Sequence, residues 1–177
     1  LGAAKIAPRA MVKPAAEESE AEVTAVAARD LERARQFAAR HKIPTAYGSY
    51  AQLLADPNVD AVYLAVPNGL HGRWTKAALE AGKHVLCEKP LGVSVEEVEA
   101  LKRDVVRSGR VLQVGHMKRF DAGLQSAKAS IDAEMGELLA LKAWYCDSTH
   151  RYAMTDAVQP LPILSADSAQ AVAAQPL

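Results

Sequence analysis

Glu88, Lys89 and Pro90 follow a short apolar run, His84-Val85-Leu86-Cys87. Upstream, Ala61 to Val66 form a second apolar run, closed by Pro67-Asn68 and followed by His71. A carboxylate, an amine, an amide and an imidazole thus fall at the ends of two neighbouring strands. In an open α/β sheet that edge is where ligands bind. An isolated lysine is a poor base at neutral pH. Beside a carboxylate, Lys89 reads mainly as a charged hydrogen-bond donor, able to polarise an oxygen or relay its proton.

A second group of residues points to phosphate. Residues 2 to 7 read Gly-Ala-Ala-Lys-Ile-Ala, close to the glycine-rich turn G-x-G-x-x-G/A that joins a strand to a helix. Gly2 fills the first position, Ala7 the third, and Ala4 replaces the second glycine. A helix N-terminus behind Lys5 and Ile6 would offer backbone N–H groups to a pyrophosphate. Only Leu1 precedes Gly2, so the strand that feeds such a turn lies outside this sequence. The expectation is an N-terminally clipped copy of a longer protein. Further on, Ala27-Ala28-Arg29-Asp30 ends a strand. An acidic residue at that tip holds ribose hydroxyls, and an arginine accommodates a 2′-phosphate. Here Ala28 and Arg29 stand at the tip, and Asp30 is placed to cap the next helix. The reading is NADP, otherwise NAD, with Arg29 on the 2′-phosphate and Arg33 in support.

The elements that must carry these residues alternate between strand-length apolar runs and helical periodicity, which predicts a βαβ architecture. Strands are expected at Val23–Ala27, around Thr45–Tyr47, and at Ala61–Val66, His84–Cys87 and Val111–Val114. Helices are expected at Leu31–His41, from Ser49 through Leu54, at Leu70–Ala81 with Gly82 as its stop, and from Ser94 to Gly109. Ser94-Val95-Glu96-Glu97 reads as a capping box. Val95, Val98, Leu101 and Val105 form the apolar stripe behind it. A helix at Asp121–Glu134 and a long strand at Leu138–Cys146 follow. The last stretch has no clear period and reads as loop.

Composition narrows the class. The 177 residues suffice for one domain and part of another. The 21 basic and 21 acidic residues cancel, which argues against nucleic acid or an anionic membrane as partner. Cys87 and Cys146, far apart in apolar runs, read as buried thiols in a reducing compartment. No apolar stretch approaches the roughly 20 residues that span a bilayer. No His/Cys/Asp cluster has metal-ligand spacing. His84 reads as structural, His41 as a charge at a helix C-terminus, and His116 as following the last strand of the first domain.

Together, residues 2–7, Val66-Pro67-Asn68 with His71, Gly82-Lys83-His84-Val85-Leu86 and Glu88-Lys89-Pro90 resemble, in order and spacing, the glucose–fructose oxidoreductase / inositol dehydrogenase / MocA family. The resemblance runs from residue 1 to about residue 150. It implies a Rossmann-type, doubly wound parallel sheet, here without its first strand, over residues 1–118. Residues 119–152 would begin an α+β substrate and dimerisation domain, and residues 153–177 form an irregular tail. It also implies hydride transfer between a nicotinamide cofactor and a carbinol or carbonyl of a sugar, inositol or related diol, in a cytoplasmic homo-oligomer.

By position in the family, Gly2, Ala4, Lys5, Ile6, Ala28, Arg29, Arg33, Pro67, Asn68, His71, Glu88, Lys89 and Arg119 would contact the cofactor. Glu88 would meet the nicotinamide ribose, and Lys89 would sit beside the reacting carbon as the catalytic residue. Lys89-Pro90 is a candidate cis peptide, since X–Pro bonds carry a small cis penalty. The family's further Asp/His pair has no match, because His150 and Asp156 lack its spacing. The chain alone is therefore expected to be inactive. The alternative is a non-catalytic nucleotide-binding or interaction module that keeps the cleft.

Overall fold

The structure is a computed structural model that describes residues 1–134, 136 and 137. One compact unit comprises Leu1–Gly115, and the described residues from His116 belong to a second.

The first unit opens with the turn at residues 2–7 and a helix whose first part, Pro8–Val12, is π-helical before it becomes α1 (Lys13–Glu17). Pro14 gives the reason. Its ring crowds the carbonyl four residues back and it has no N–H to donate. The turn widens, and the Lys13 N–H reaches the Pro8 carbonyl, five residues back. Strand β1 (Ala25–Ala27) leads to α2 (Leu31–His41). The Asp30 carboxylate caps α2 by accepting the Arg33 N–H at 2.8 Å, and Lys42 leaves it in the left-handed region. β2 (Thr45–Tyr47) pairs with β1 in parallel, and Ser49 caps α3 (Tyr50–Leu54). β3 (Ala61–Leu64), α4 (His71–Glu80), β4 (His84–Cys87), α5 (Val95–Ser108) and β5 (Leu112–Val114) complete the unit.

Strands β3, β4 and β5 form a parallel ladder in that order, with Val62 opposite Val85 and Cys87 opposite Val114. The β1–β2 pair is a separate ladder. Leu1 and Gly2 run between the two. The Leu1 terminal amine donates to the Tyr63 carbonyl, the Leu1 carbonyl accepts the Ala65 N–H at 3.0 Å, and the Gly2 N–H donates to the Ala27 carbonyl at 3.0 Å. The order is thus β2-β1-(Leu1-Gly2)-β3-β4-β5, with two residues in the central place of a doubly wound sheet. Behind them lies a cavity of about 650 Å³, lined by Val26, Ile43, Val62 and Val85 among others.

Alternation sets the core. Val62, Leu64, Val85 and Cys87 are buried, as are Trp74, Thr75, Ala78 and Leu79 of α4 and Leu101 of α5. Full burial of a valine or leucine side chain among them contributes roughly 1.5–3 kcal/mol. Trp74 meets Tyr50 edge-on at 4.9 Å, joining α4 to α3. Two local expectations are corrected. Val95 is 73% exposed, and the buried residues of α5 are Leu101 and Asp104. In the capping box, Ser94 accepts the Glu97 N–H at 3.2 Å as expected. The Glu97 carboxylate instead takes the Val93 N–H at 2.7 Å, one residue short of the cap's own. Three strands are shorter than expected: β1 begins at Ala25, β3 ends at Leu64 and β5 begins at Leu112.

Asp56 ties the α3–β3 turn to its surroundings. Its carboxylate accepts the Asn58 N–H and the Tyr47 hydroxyl, both at 2.9 Å, and its carbonyl accepts the buried Lys83 ammonium at 2.7 Å. The hydrogen bonds from Asn58 and then Tyr47 hold the carboxyl below its usual range. A folded-state pKa below the unfolded value gives stability present above about pH 4 and lost as pH falls through the folded value. Tyr47→Phe should therefore lower the urea midpoint at pH 7, and the gap from wild type should narrow as pH falls below the usual carboxylate range. A gap independent of pH would show that the hydroxyl acts without the carboxylate.

The second unit, as far as it is described, holds a 3-10 turn (Met117–Phe120) and α6 (Ala122–Glu134), whose first turn is capped by Asp121 through the Leu124 N–H at 3.2 Å. The strand expected at Leu138–Cys146, with Cys146 and His150, lies outside the described residues.

Candidate active site

The strand ends of the first unit lie side by side, and the sequence-selected residues come with them. At β1, Ala28 is buried and its N–H donates to the Tyr47 carbonyl at 3.2 Å, while Arg29 is exposed beyond the tip. The Asp30 carboxylate caps α2 through Oδ1. Arg33, on the first turn of α2, donates Nη2 to the Ala3 carbonyl at 3.1 Å, which ties α2 to the glycine-rich turn.

That turn is tight. The Ala4 N–H donates to the Gly2 carbonyl at 2.8 Å and the Ala7 N–H to the Ala4 carbonyl at 3.1 Å. Lys5 and Ile6 are exposed at its crest. Gly2 has a φ of 87°, and a Cβ there would stand 2.6 Å from the Ala65 carbonyl oxygen. The turn therefore passes directly over the end of β3, the close approach that its first glycine exists to permit.

At β3, Pro67 and Asn68 are exposed and open a 3-10 turn (Asn68–Leu70) that feeds α4, where the sequence suggested one helix from Leu70. His71 is turned inward, 1% exposed. Its Nδ1 lies 2.5 Å from the Pro90 carbonyl and its Nε2 2.9 Å from the Val66 carbonyl. A neutral imidazole can donate to one of these oxygens, an imidazolium to both. Either way both ring nitrogens face protein backbone, and the ring joins the loop after β3 to the loop after β4.

At β4, the Glu88 N–H donates to the Leu64 carbonyl at 3.0 Å, and its carboxylate accepts the Tyr63 hydroxyl at 2.7 Å. Lys89 is exposed. The Lys89-Pro90 peptide is cis, as the sequence suggested. Cys87, immediately before Glu88, is a buried free thiol pushed up by burial. His84 accepts the Val111 N–H at 3.1 Å through Nδ1, a structural role as expected, and the His41 ring packs tilted against Phe37. Arg119 and His116 are exposed residues of the second unit. Tyr63 is the site residue that sequence reasoning missed. Its signal was available: it alternates with buried Val62 and Leu64, so it faces the other side of the sheet.

Among the described residues no group of His, Cys, Asp and Glu could hold a metal ion. Among them too, no helix is long and apolar enough to cross a membrane.

A parallel α/β sheet with a glycine turn over its central strand position and chemistry-bearing loops at the same edge is a Rossmann-type dinucleotide-binding fold. The chain belongs to the GFO/IDH/MocA oxidoreductase family, whose model, described as an NAD-binding Rossmann fold, matches residues 1–116. It is 43% identical over 141 residues to the D-xylose 1-dehydrogenase (NADP(+)) 2 of Haloferax volcanii, covering 80% of this chain and 43% of that protein. It is 40% identical over 126 residues to the trans-1,2-dihydrobenzene-1,2-diol dehydrogenase of Sus scrofa, covering 71% of this chain and 38% of that protein. Among solved structures, the 3-ketoreductase KijD10 of Actinomadura kijaniata, with NADP and TDP-benzene, superposes with a TM-score of 0.69 at 35% identity. That match covers 74% of this chain and 40% of that one. The chain thus spans about two-fifths of the length of the relatives it matches.

Proposed function

We propose that the protein is an NADP-preferring oxidoreductase that moves a hydride between the nicotinamide and a carbinol or carbonyl of a sugar, inositol or related diol. The observation that carries the cofactor choice is at the tip of β1: Arg29 is exposed there, while the neighbouring Asp30 is engaged by the helix cap through Oδ1. A 2′-phosphate gains from a guanidinium at that point. The turn at residues 2–7 fits a pyrophosphate, since its crest is exposed and a helix begins directly behind it. The relatives named for NADP support the same choice.

The nicotinamide, when bound, supplies the hydride chemistry. This chain supplies position and charge. Gly2, Ala4, Lys5 and Ile6 lie along the diphosphate, with Ala28, Arg29 and Arg33 at the adenosine ribose. Pro67 and Asn68 line the nicotinamide end, and Glu88 takes its ribose hydroxyls. Lys89, beside Glu88 and exposed to the cleft, donates a hydrogen bond to the substrate oxygen and is the catalytic residue. His71 acts on this end through the two loops it joins. The whole protein works as a cytoplasmic homo-oligomer, a setting in keeping with the unpaired buried thiol of Cys87.

The 177-residue chain alone binds cofactor weakly and does not turn over. Behind its phosphate turn is a cavity, so the turn rests on a few backbone hydrogen bonds. Ligand-observed NMR titration, which reads weak affinities, tests the proposal. NADPH should bind at least about tenfold more tightly than NADH, and Arg29→Ala should remove most of that preference. Equal affinity for the two cofactors in the wild type would refute it.

A further inference from the structure

We propose that Tyr63 is a positioning residue for Glu88, holding one carboxylate oxygen through its hydroxyl so that the other is presented to the nicotinamide ribose. The inference rests on the dinucleotide reading above and adds to it a residue outside the strand-end loops.

The argument starts from strand geometry. Side chains along a strand alternate between faces. Val62 and Leu64 are buried on one face, so Tyr63 between them occupies the opposite face. In the β3–β4 register Tyr63 stands opposite Leu86. Glu88 lies two residues beyond Leu86 and so shares its face, diagonal to Tyr63, within reach of a long side chain. The phenol spans that diagonal and donates to Glu88 Oε1 at 2.7 Å.

A glutamate at a strand end otherwise keeps three free side-chain torsions, and ordering it costs up to about 2 kcal/mol. The hydrogen bond from Tyr63 imposes that order in advance. The far side of the carboxylate is bounded by backbone. A Cβ built on Gly115 would lie 3.5 Å from Glu88 Oε2, and the Gly115 N–H is itself fixed on the Cys87 carbonyl at 2.8 Å. One oxygen is therefore engaged by the phenol, and the other faces a glycine that leaves it room. A carboxylate accepts several hydrogen bonds, so Oε2 keeps full capacity for a hydroxyl donor.

The phenol is suited to this and to no proton transfer of its own. Burial first, and then the hydrogen bond to Glu88, push Tyr63 well above the ordinary phenol range. Its proton stays on the hydroxyl and points at Glu88. Tyr63 therefore acts through Glu88 and does not itself meet substrate.

The test uses the 177-residue chain and two probes, NADPH and 2′,5′-ADP, by ligand-observed NMR titration. The second probe carries the adenosine half and lacks the nicotinamide ribose. Tyr63→Phe keeps the ring and deletes the hydroxyl. It should weaken NADPH by about three- to tenfold and leave 2′,5′-ADP within about twofold. Glu88→Gln should do the same, and the double variant should bind NADPH no worse than Glu88→Gln alone, because the hydroxyl has no independent contact. Equal weakening of both probes by Tyr63→Phe would mean a folding role and overturn the proposal. An unchanged NADPH affinity, or additive losses in the double variant, would overturn it as well. If the wild type binds neither probe, the dinucleotide reading itself fails and takes this proposal with it.

Discussion

Gly2→Ala should be among the most damaging substitutions in the chain, lowering stability by about 2–4 kcal/mol. Two independent causes act at that position. Its φ of 87° lies where an L side chain is strained, at a cost of about 1–2 kcal/mol. The added methyl would also stand 2.6 Å from the Ala65 carbonyl oxygen and 3.1 Å from its carbon. A flexible side chain could move away, but this neighbour is backbone at the end of β3. Relief would require the turn to lift off β3, which endangers the Gly2-to-Ala27 and Leu1-to-Ala65 hydrogen bonds that link the two ladders. Urea unfolding monitored by circular dichroism measures the loss. Gly109→Ala is the control. It also replaces a glycine of positive φ, but its added methyl meets nothing within 4 Å. If the two variants lose the same stability, backbone strain alone explains Gly2 and the close approach to β3 contributes nothing.

His71→Leu should destabilise the fold by about 1–3 kcal/mol for each backbone carbonyl it leaves without a donor. The ring is 1% exposed, and the oxygens it faces, on Val66 and Pro90, belong to loops after different strands. Leucine fills much of the same volume, so the loss isolates the polar contacts from packing. His71→Gln, whose amide carries two N–H donors, should recover part of the stability. Amide hydrogen exchange of the same variants locates the effect. Protection should fall at residues 88–92 more than in α2, because the tether lost is the one that fixes the loop of Glu88 and Lys89. A uniform fall across the first unit would mean that His71 is only a core residue. A His71→Leu variant within about 0.5 kcal/mol of wild type would remove the tether altogether.

The two predictions concern one feature of the site. Its loops follow short strands, of three and four residues. Such strands orient their loops poorly by themselves, and side-chain ties to the loops do the rest: Arg33 to Ala3, His71 to Val66 and Pro90, and Tyr63 to Glu88. Rigid placement of this kind is what positions a cofactor against its substrate.

Much of the frame was legible in the chain itself. Helix starts at Asp30, Ser49 and Ser94, the stop at Gly109, the order of strands and helices, and the placement of Glu88-Lys89 at a strand end all followed from signals within a few residues. Caps, turns and periodicity are local because the hydrogen bonds that create them span three or four residues. The resemblance carried by four spaced motifs reached the family, because each motif reflects a local backbone requirement.

Tertiary structure alone decided what the side chains do. His71 stands where a sequence places a cofactor contact, yet its ring turns inward to a carbonyl 19 residues away. Tyr63 looks like one more residue of an apolar strand, and its partner is 25 residues on. Glu97 bypasses the expected cap for Val93, and Val95 faces solvent despite its helical period. Leu1 and Gly2 hold the central place of the sheet by pairing with strands more than 20 residues distant on either side. Long-range partners depend on strand order, register and which face each element buries. No short stretch of sequence encodes those, because they come into being only when the crossovers have brought the strand ends together.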